Sequence, residues 1–95
     1  MQVRWTRPAL QNLEEIQDYV AQASPRAANR LARDLVDRAE RGLGQSPELG
    51  RFGRAPNTRE LVFADLPYII AYRITDAVEI LAVVHTARSW PDEFD

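Results

Sequence analysis

Residues 58–88 read TRELVFADLPYIIAYRITDAVEILAVVHTAR, the most strongly patterned third of the chain. Three segments in it are rich in β-branched and apolar residues: Thr58–Phe63, Tyr68–Thr75 and Val78–His85. Between them stand Asp65-Leu66-Pro67 and Asp76-Ala77, turn chemistry that a strand interior does not tolerate. Links this short join antiparallel neighbours, because a parallel crossover needs about a dozen residues or more. The stretch is therefore predicted to be a three-strand antiparallel meander. In its middle strand Tyr68, Ile70, Tyr72 and Ile74 share one face, and Ile69, Ala71, Arg73 and Thr75 the other. In its last strand Val78, Ile80, Ala82 and Val84 alternate with Glu79, Leu81, Val83 and His85. Both faces carry apolar groups, so both call for cover.

Upstream the period changes. Gln2–Trp5 is a short strand candidate. Thr6 can cap the next segment, and Arg7-Pro8 opens it where a missing N–H costs nothing. Ala9, Leu13, Ile16 and Val20 then recur at helical spacing, Leu10 widening the stripe, to an end near Ala23. Ser24-Pro25 repeats the start. The second helix carries Ala28, Leu31, Ala32, Leu35, Ala39 and Leu43 on one face. Arg30–Asp34, Arg33–Asp37 and Asp34–Arg38 are opposite charges four residues apart, worth a few tenths of a kcal/mol each. Gly42, Gly44 and Pro47 are expected to stop it. So short a link makes the two helices an antiparallel hairpin. Gln45–Asn57 reads as loop. The order is β-α-α-β-β-β, an α+β fold, expected to be one domain over 1–95 with a short acidic tail at 92–95.

Composition narrows the chemistry. The chain has no cysteine and one histidine, which removes disulfides and argues against a multi-ligand metal site. All twelve basic residues are arginine, so lysine general-base and Schiff-base chemistry is excluded. No apolar run reaches the roughly 18–20 residues of a membrane span, and Met1–Trp5 lacks the apolar core of a signal peptide. The expectation is a cytoplasmic protein without cofactor or membrane partner. Formal net charge is −2, unevenly placed: Arg51, Arg54, Arg59 and Arg73 face only Glu60 and Asp65 between residues 51 and 73.

Several stretches now align with a known pattern: Trp5-Thr6-Arg7-Pro8-Ala9 with Leu13 and Ile16, Pro47-Glu48-Leu49-Gly50-Arg51, and Thr58-Arg59-Glu60-Leu61. Tyr68-Ile69-Ile70-Ala71-Tyr72-Arg73, Val78-Glu79-Ile80-Leu81 and Val84-His85-Thr86-Ala87-Arg88 complete it. In order and spacing they resemble the RelE/ParE toxins of type II toxin–antitoxin modules, across nearly the whole chain. RelE-like members cleave mRNA on the ribosome, which needs a base, an acid and cations around the phosphorane. By the resemblance, the positions of the nuclease lysines fall near Glu60 and Val62, and its mid-strand arginine falls on Ile69. Its late arginine falls on Arg88 and its tyrosine near Phe94. Only the arginine at 88 persists, and arginine cannot supply the base.

ParE-like members lack the nuclease set and act on DNA gyrase. The run Val78 to Arg88 resembles the ParE ending more closely. The resemblance therefore implies a gyrase-poisoning toxin, not an enzyme, that a cognate antitoxin neutralises by direct binding. Operator DNA would be met only through that antitoxin. One alternative is a RelE-like ribosome-dependent mRNA endoribonuclease, with Arg88 and His85 as catalytic candidates and ribosome and mRNA as partners. Another is a degenerate toxin acting only as a binding partner or co-repressor. Target contact is assigned to Arg59, Arg73, Arg88 and Trp90. Antitoxin contact falls to Leu13, Leu35, Arg51 and Arg54, under an arm laid over the helix hairpin and sheet edge.

Each of these residues also has a structural reading. His85 can be a strand-end histidine bonded to backbone, and Arg73 can pair with Glu60 or Glu79 across the sheet. Trp5, Tyr19 and Tyr72 read as packing aromatics, the tyrosines with solvated hydroxyls.

Overall fold

The computed structural model describes residues 1–87; Arg88, Trp90 and the tail 92–95 lie outside the described residues. β1 is Val3–Trp5, α1 Arg7–Ala21 and α2 Pro25–Gln45. A 3-10 turn, Pro47–Leu49, leads into β2 (Arg51–Phe52), followed by β3 (Arg59–Val62), β4 (Tyr68–Ile74) and β5 (Val78–His85). Both helix starts are as expected. Thr6 Oγ1 accepts from Ala9 N–H at 3.4 Å and donates its own proton to the Ile80 carbonyl at 2.7 Å, so one side chain caps α1 and ties it to the sheet. Ser24 Oγ accepts from Ala27 N–H at 3.1 Å.

The meander β3–β4–β5 is present and antiparallel. It is the middle of a larger sheet than the sequence implied: five strands in the order β1-β5-β4-β3-β2. β1 lies parallel to β5, Trp5 opposite Ile80, with the helix hairpin as the crossover. β2 pairs Arg51 with Glu60 and Phe52 with Arg59, within a segment that reads locally as loop. Two residues carry too little pattern to announce a strand.

The alternation expected in β5 does not hold. Ala71 faces Ala82 while Tyr72 faces Ile80, so Leu81 is an extra residue in a bulge. The bulge reverses the facing of everything after it. Val83, not Ala82, joins Val78 and Ile80 in the helix-facing core, with Ala9, Leu35, Ala39, Leu43, Ile70 and Tyr72. Each fully buried aliphatic chain here contributes about 1.5–3 kcal/mol.

Gly42 and Gly44 do not end α2, which runs on to Gln45 before Ser46-Pro47 stops it. Packing overrides their poor helix propensity. A Cβ at Gly44 would lie 3.5 Å from the Met1 carbonyl, and one at Gly42 would lie 3.3 Å from Leu49 Cδ2. Tyr19 and Leu10 fall outside the core stripe, 71% and 51% exposed. Of the i,i+4 pairs, Arg38–Asp34 forms at 3.2 Å, whereas Asp37 pairs with Arg41 at 3.0 Å.

Arg38 also fastens α2 to the β3–β4 turn. It lies over the Phe63 ring and donates to both oxygens of Asp65, at 3.0 and 2.9 Å. That hydrogen bond holds the Asp65 carboxyl below the usual carboxylate range. A group depressed in the folded state stabilises above its unfolded pKa, and this is lost as pH falls through the folded value. Asp65→Asn is therefore expected to lower the melting temperature near pH 7. The gap from wild type should narrow as pH falls below the ordinary carboxylate value of about 3.9 and close once the folded carboxyl is protonated, and a gap that persists unchanged in acid contradicts the assignment.

Candidate functional site

The sequence places three arginines in and beside the segment after α2, and the fold gathers them around one turn. Its frame is Tyr72, whose ring is fully buried. The Tyr72 hydroxyl donates to the Pro47 carbonyl at 2.7 Å and accepts from Gly50 N–H at 2.8 Å. Burial pushes this phenol up from its ordinary value, so it is a neutral donor at physiological pH. Its hydroxyl is bonded to protein rather than solvated. Gly50 is needed because a Cβ there would sit 2.7 Å from the tyrosine ring and 2.8 Å from the Glu60 carbonyl.

Glu60 is the second anchor, a carboxylate only 2% exposed. One oxygen accepts from Arg51 Nε and Nη2 at 3.2 and 2.9 Å. The other accepts from the backbone N–H of Arg54 at 2.9 Å, with Arg54 Nε at 3.7 Å. Through these partners the buried Glu60 side chain folds the turn onto β3. Arg59 completes the frame. Its Nη1 donates to the carbonyls of Glu48 (3.3 Å) and Gly50 (2.8 Å), and its guanidinium lies 4.5 Å from the centre of the Phe52 ring. Phe52 itself is 81% exposed.

Arg73 pairs with Glu79 across the β4–β5 ladder at 2.6 Å, and Glu60 is taken by the turn arginines. At the other end of β4, Tyr68 faces His85 edge-on, ring centroids 5.3 Å apart. His85 Nδ1 accepts from Ala87 N–H at 3.1 Å, the local backbone bond that a strand-end histidine makes. Tyr68 and Arg73 are five residues apart on one strand, roughly 17 Å. The fold thus brings Arg51, Arg54 and Arg59 together and leaves His85 at the opposite end of the sheet. Among the described residues no group of three His, Asp or Glu side chains could hold a metal ion.

Leu13 is partly buried against the core, while Leu35 is fully enclosed in it, 0% exposed. Leu35 is therefore a core residue and not, in this fold, a surface for an arm. The sequence reading missed Glu60, Tyr72 and Phe52 as the parts that shape the turn. A signal for Glu60 existed: a lone acid inside an apolar strand demands a charged partner, and arginines flank the turn before it.

A family model described as ParE toxin of type II toxin–antitoxin system, parDE, matches residues 3–90. A Sinorhizobium fredii protein named Y4kP and assigned as a toxin is 47% identical over 89 residues, covering 94% of this chain and 92% of that one. The toxin RelE2 of Caulobacter vibrioides is 44% identical over 88 residues, covering 92% and 97%. Among solved structures, a chain of the chromosomal ParDE system from P. aeruginosa superposes with a TM-score of 0.80 at 28% identity. That superposition spans 90% of this chain and 95% of the other.

Proposed function

The chain belongs to the ParE family of toxins of type II toxin–antitoxin systems, and from that premise we propose that it arrests growth by poisoning DNA gyrase. The observation carrying this reading is Glu60. Where the resemblance puts a nuclease cation on β3, the chain has a buried carboxylate held by Arg51 and Arg54. A buried side chain already occupied by two arginines brings no positive charge of its own to a phosphorane. The neighbouring correspondences, Val62 and Ile69, are apolar, and His85 is remote from the arginine turn.

The toxin acts in the cytoplasm as one domain over 1–95, needs no cofactor, and meets operator DNA only through its antitoxin. The cognate antitoxin neutralises it by laying an arm across the hairpin at Leu13 and the sheet edge at Arg51 and Arg54. Arg59, Arg73, Arg88 and Trp90 are left for the target. The test is accumulation of gyrase-cleaved plasmid by the purified toxin.

A second reading, ribosome-dependent mRNA cleavage, is favoured by one observation: a 44% identical relative carries the name RelE2. Codon-periodic mRNA ends in a translating extract would establish it, with His85 and Arg88 in the site.

A further inference from the structure

Phe52 presents more of its surface to solvent than any other large apolar side chain among the described residues. Such exposure on an unsupported loop carries little meaning, but this ring is built into place. Arg59 covers one side of it at 4.5 Å and is itself fixed by the carbonyls of Glu48 and Gly50. The residue before Phe52 is clamped on Glu60 and the one before that on Tyr72. Beyond it, Gly53 N–H donates to the Thr58 carbonyl at 2.8 Å and Thr58 Oγ1 to the Ala55 carbonyl at 2.7 Å. Leu49, 57% exposed, sits on the same turn. A rigid exposed aromatic loses little conformational entropy on docking, which is the property of an interface anchor.

The charge around it selects a partner. Residues 48–60 hold Arg51, Arg54 and Arg59 against Glu48 and Glu60, a small positive excess in a chain that is formally −2. Arg51 and Arg54 share the Glu60 carboxylate, so the turn offers a modest positive rim and not the array of cations a phosphate backbone recruits. The geometry points to Phe52 as the anchor of a docking surface for an acidic peptide segment. That segment has an apolar side chain to meet the ring and flanking carboxylates to meet Arg51 and Arg54. The occupant is the arm of the cognate antitoxin. This rests on the toxin–antitoxin reading above and moves the centre of the contact from the hairpin to the turn.

The probe is the product of the reading frame adjacent to the toxin gene, titrated calorimetrically against the purified toxin. Phe52→Ala is expected to weaken binding by about tenfold or more, while Phe52→Leu keeps an apolar anchor and recovers part of the loss. Arg54→Gln should weaken it less, and should flatten the drop in affinity between about 0.05 and 0.3 M salt. Arg26→Ala, on the exposed start of α2, is the control for handling. Melting temperatures taken alongside show that each variant is folded. Wild-type affinity in folded Phe52→Ala overturns the inference while leaving the toxin–antitoxin pair intact. Failure of the wild-type toxin to bind at all overturns the pair itself, and this inference with it.

Discussion

Leu35→Asp is expected to leave no cooperative thermal transition. Leu35 is fully buried among Ala39, Leu43, Ile70 and Tyr72. Removing its aliphatic side chain costs about 2–5 kcal/mol. Placing an unpaired carboxylate in that space adds several more, even if the acid protonates to avoid ionisation. A domain of this size holds about 5–15 kcal/mol in all. The companion variant Leu35→Met preserves volume and should cost less than about 1.5 kcal/mol. Circular dichroism against temperature reads both. A folded Leu35→Asp that lost only antitoxin binding would put this side chain on the surface and refute the core assignment.

Gly50→Ala carries the second largest expected effect, about 3 kcal/mol of destabilisation. Backbone strain is not the reason, because Gly50 has φ −74°, open to any residue. The reason is space: the new methyl would meet Tyr72 at 2.7 Å and the Glu60 carbonyl at 2.8 Å. Neither can retreat, one being a fully buried ring and the other the backbone of β3. Either the ring shifts and both hydroxyl bonds break, or the turn lifts and Arg51 leaves Glu60. Gly42→Ala supplies the contrast. Its methyl would meet only the flexible tip of Leu49, at 3.3 Å, in a helix that favours alanine over glycine by about 1 kcal/mol. Urea denaturation should separate the two clearly. Equal small effects would mean that the Tyr72–Gly50 contact does not organise the turn.

What could be read in the sequence follows the range of the interaction responsible. Thr6 and Ser24 are local signals, each bonding a backbone N–H three residues on, and both starts are where the cap-then-proline pattern puts them. Strands β3, β4 and β5 announce themselves by composition and short links. Gly42 and Gly44 mislead because a local propensity of about 1 kcal/mol is small beside the contacts of the whole helix, and the Gly44 carbonyl is tied to the Met1 amino group. The bulge at Leu81 is invisible because Val78 to Val84 is apolar on both alternations except Glu79, so no face pattern records a one-residue slip. β2 is held by its pairing with β3 and by Glu60 and Tyr72, which lie 9 and 22 residues from their partners in the turn. For the same reason the three arginines were legible as cations but not as a group. His85 behaves as its strand-end reading implied, and Leu35 became a core residue because the hairpin turns that face inward.

Action on gyrase, as proposed, and action on mRNA leave different products, and one experiment separates them. Supercoiled plasmid is incubated with purified gyrase, ATP and increasing toxin, then treated with detergent and protease to reveal trapped breaks. A translating extract receives the same toxin so that mRNA ends can be mapped. Toxin-dependent linear plasmid, suppressed by the antitoxin, is the expected result, with mRNA left intact. Uncut plasmid beside mRNA cleaved at codon-periodic positions would contradict it.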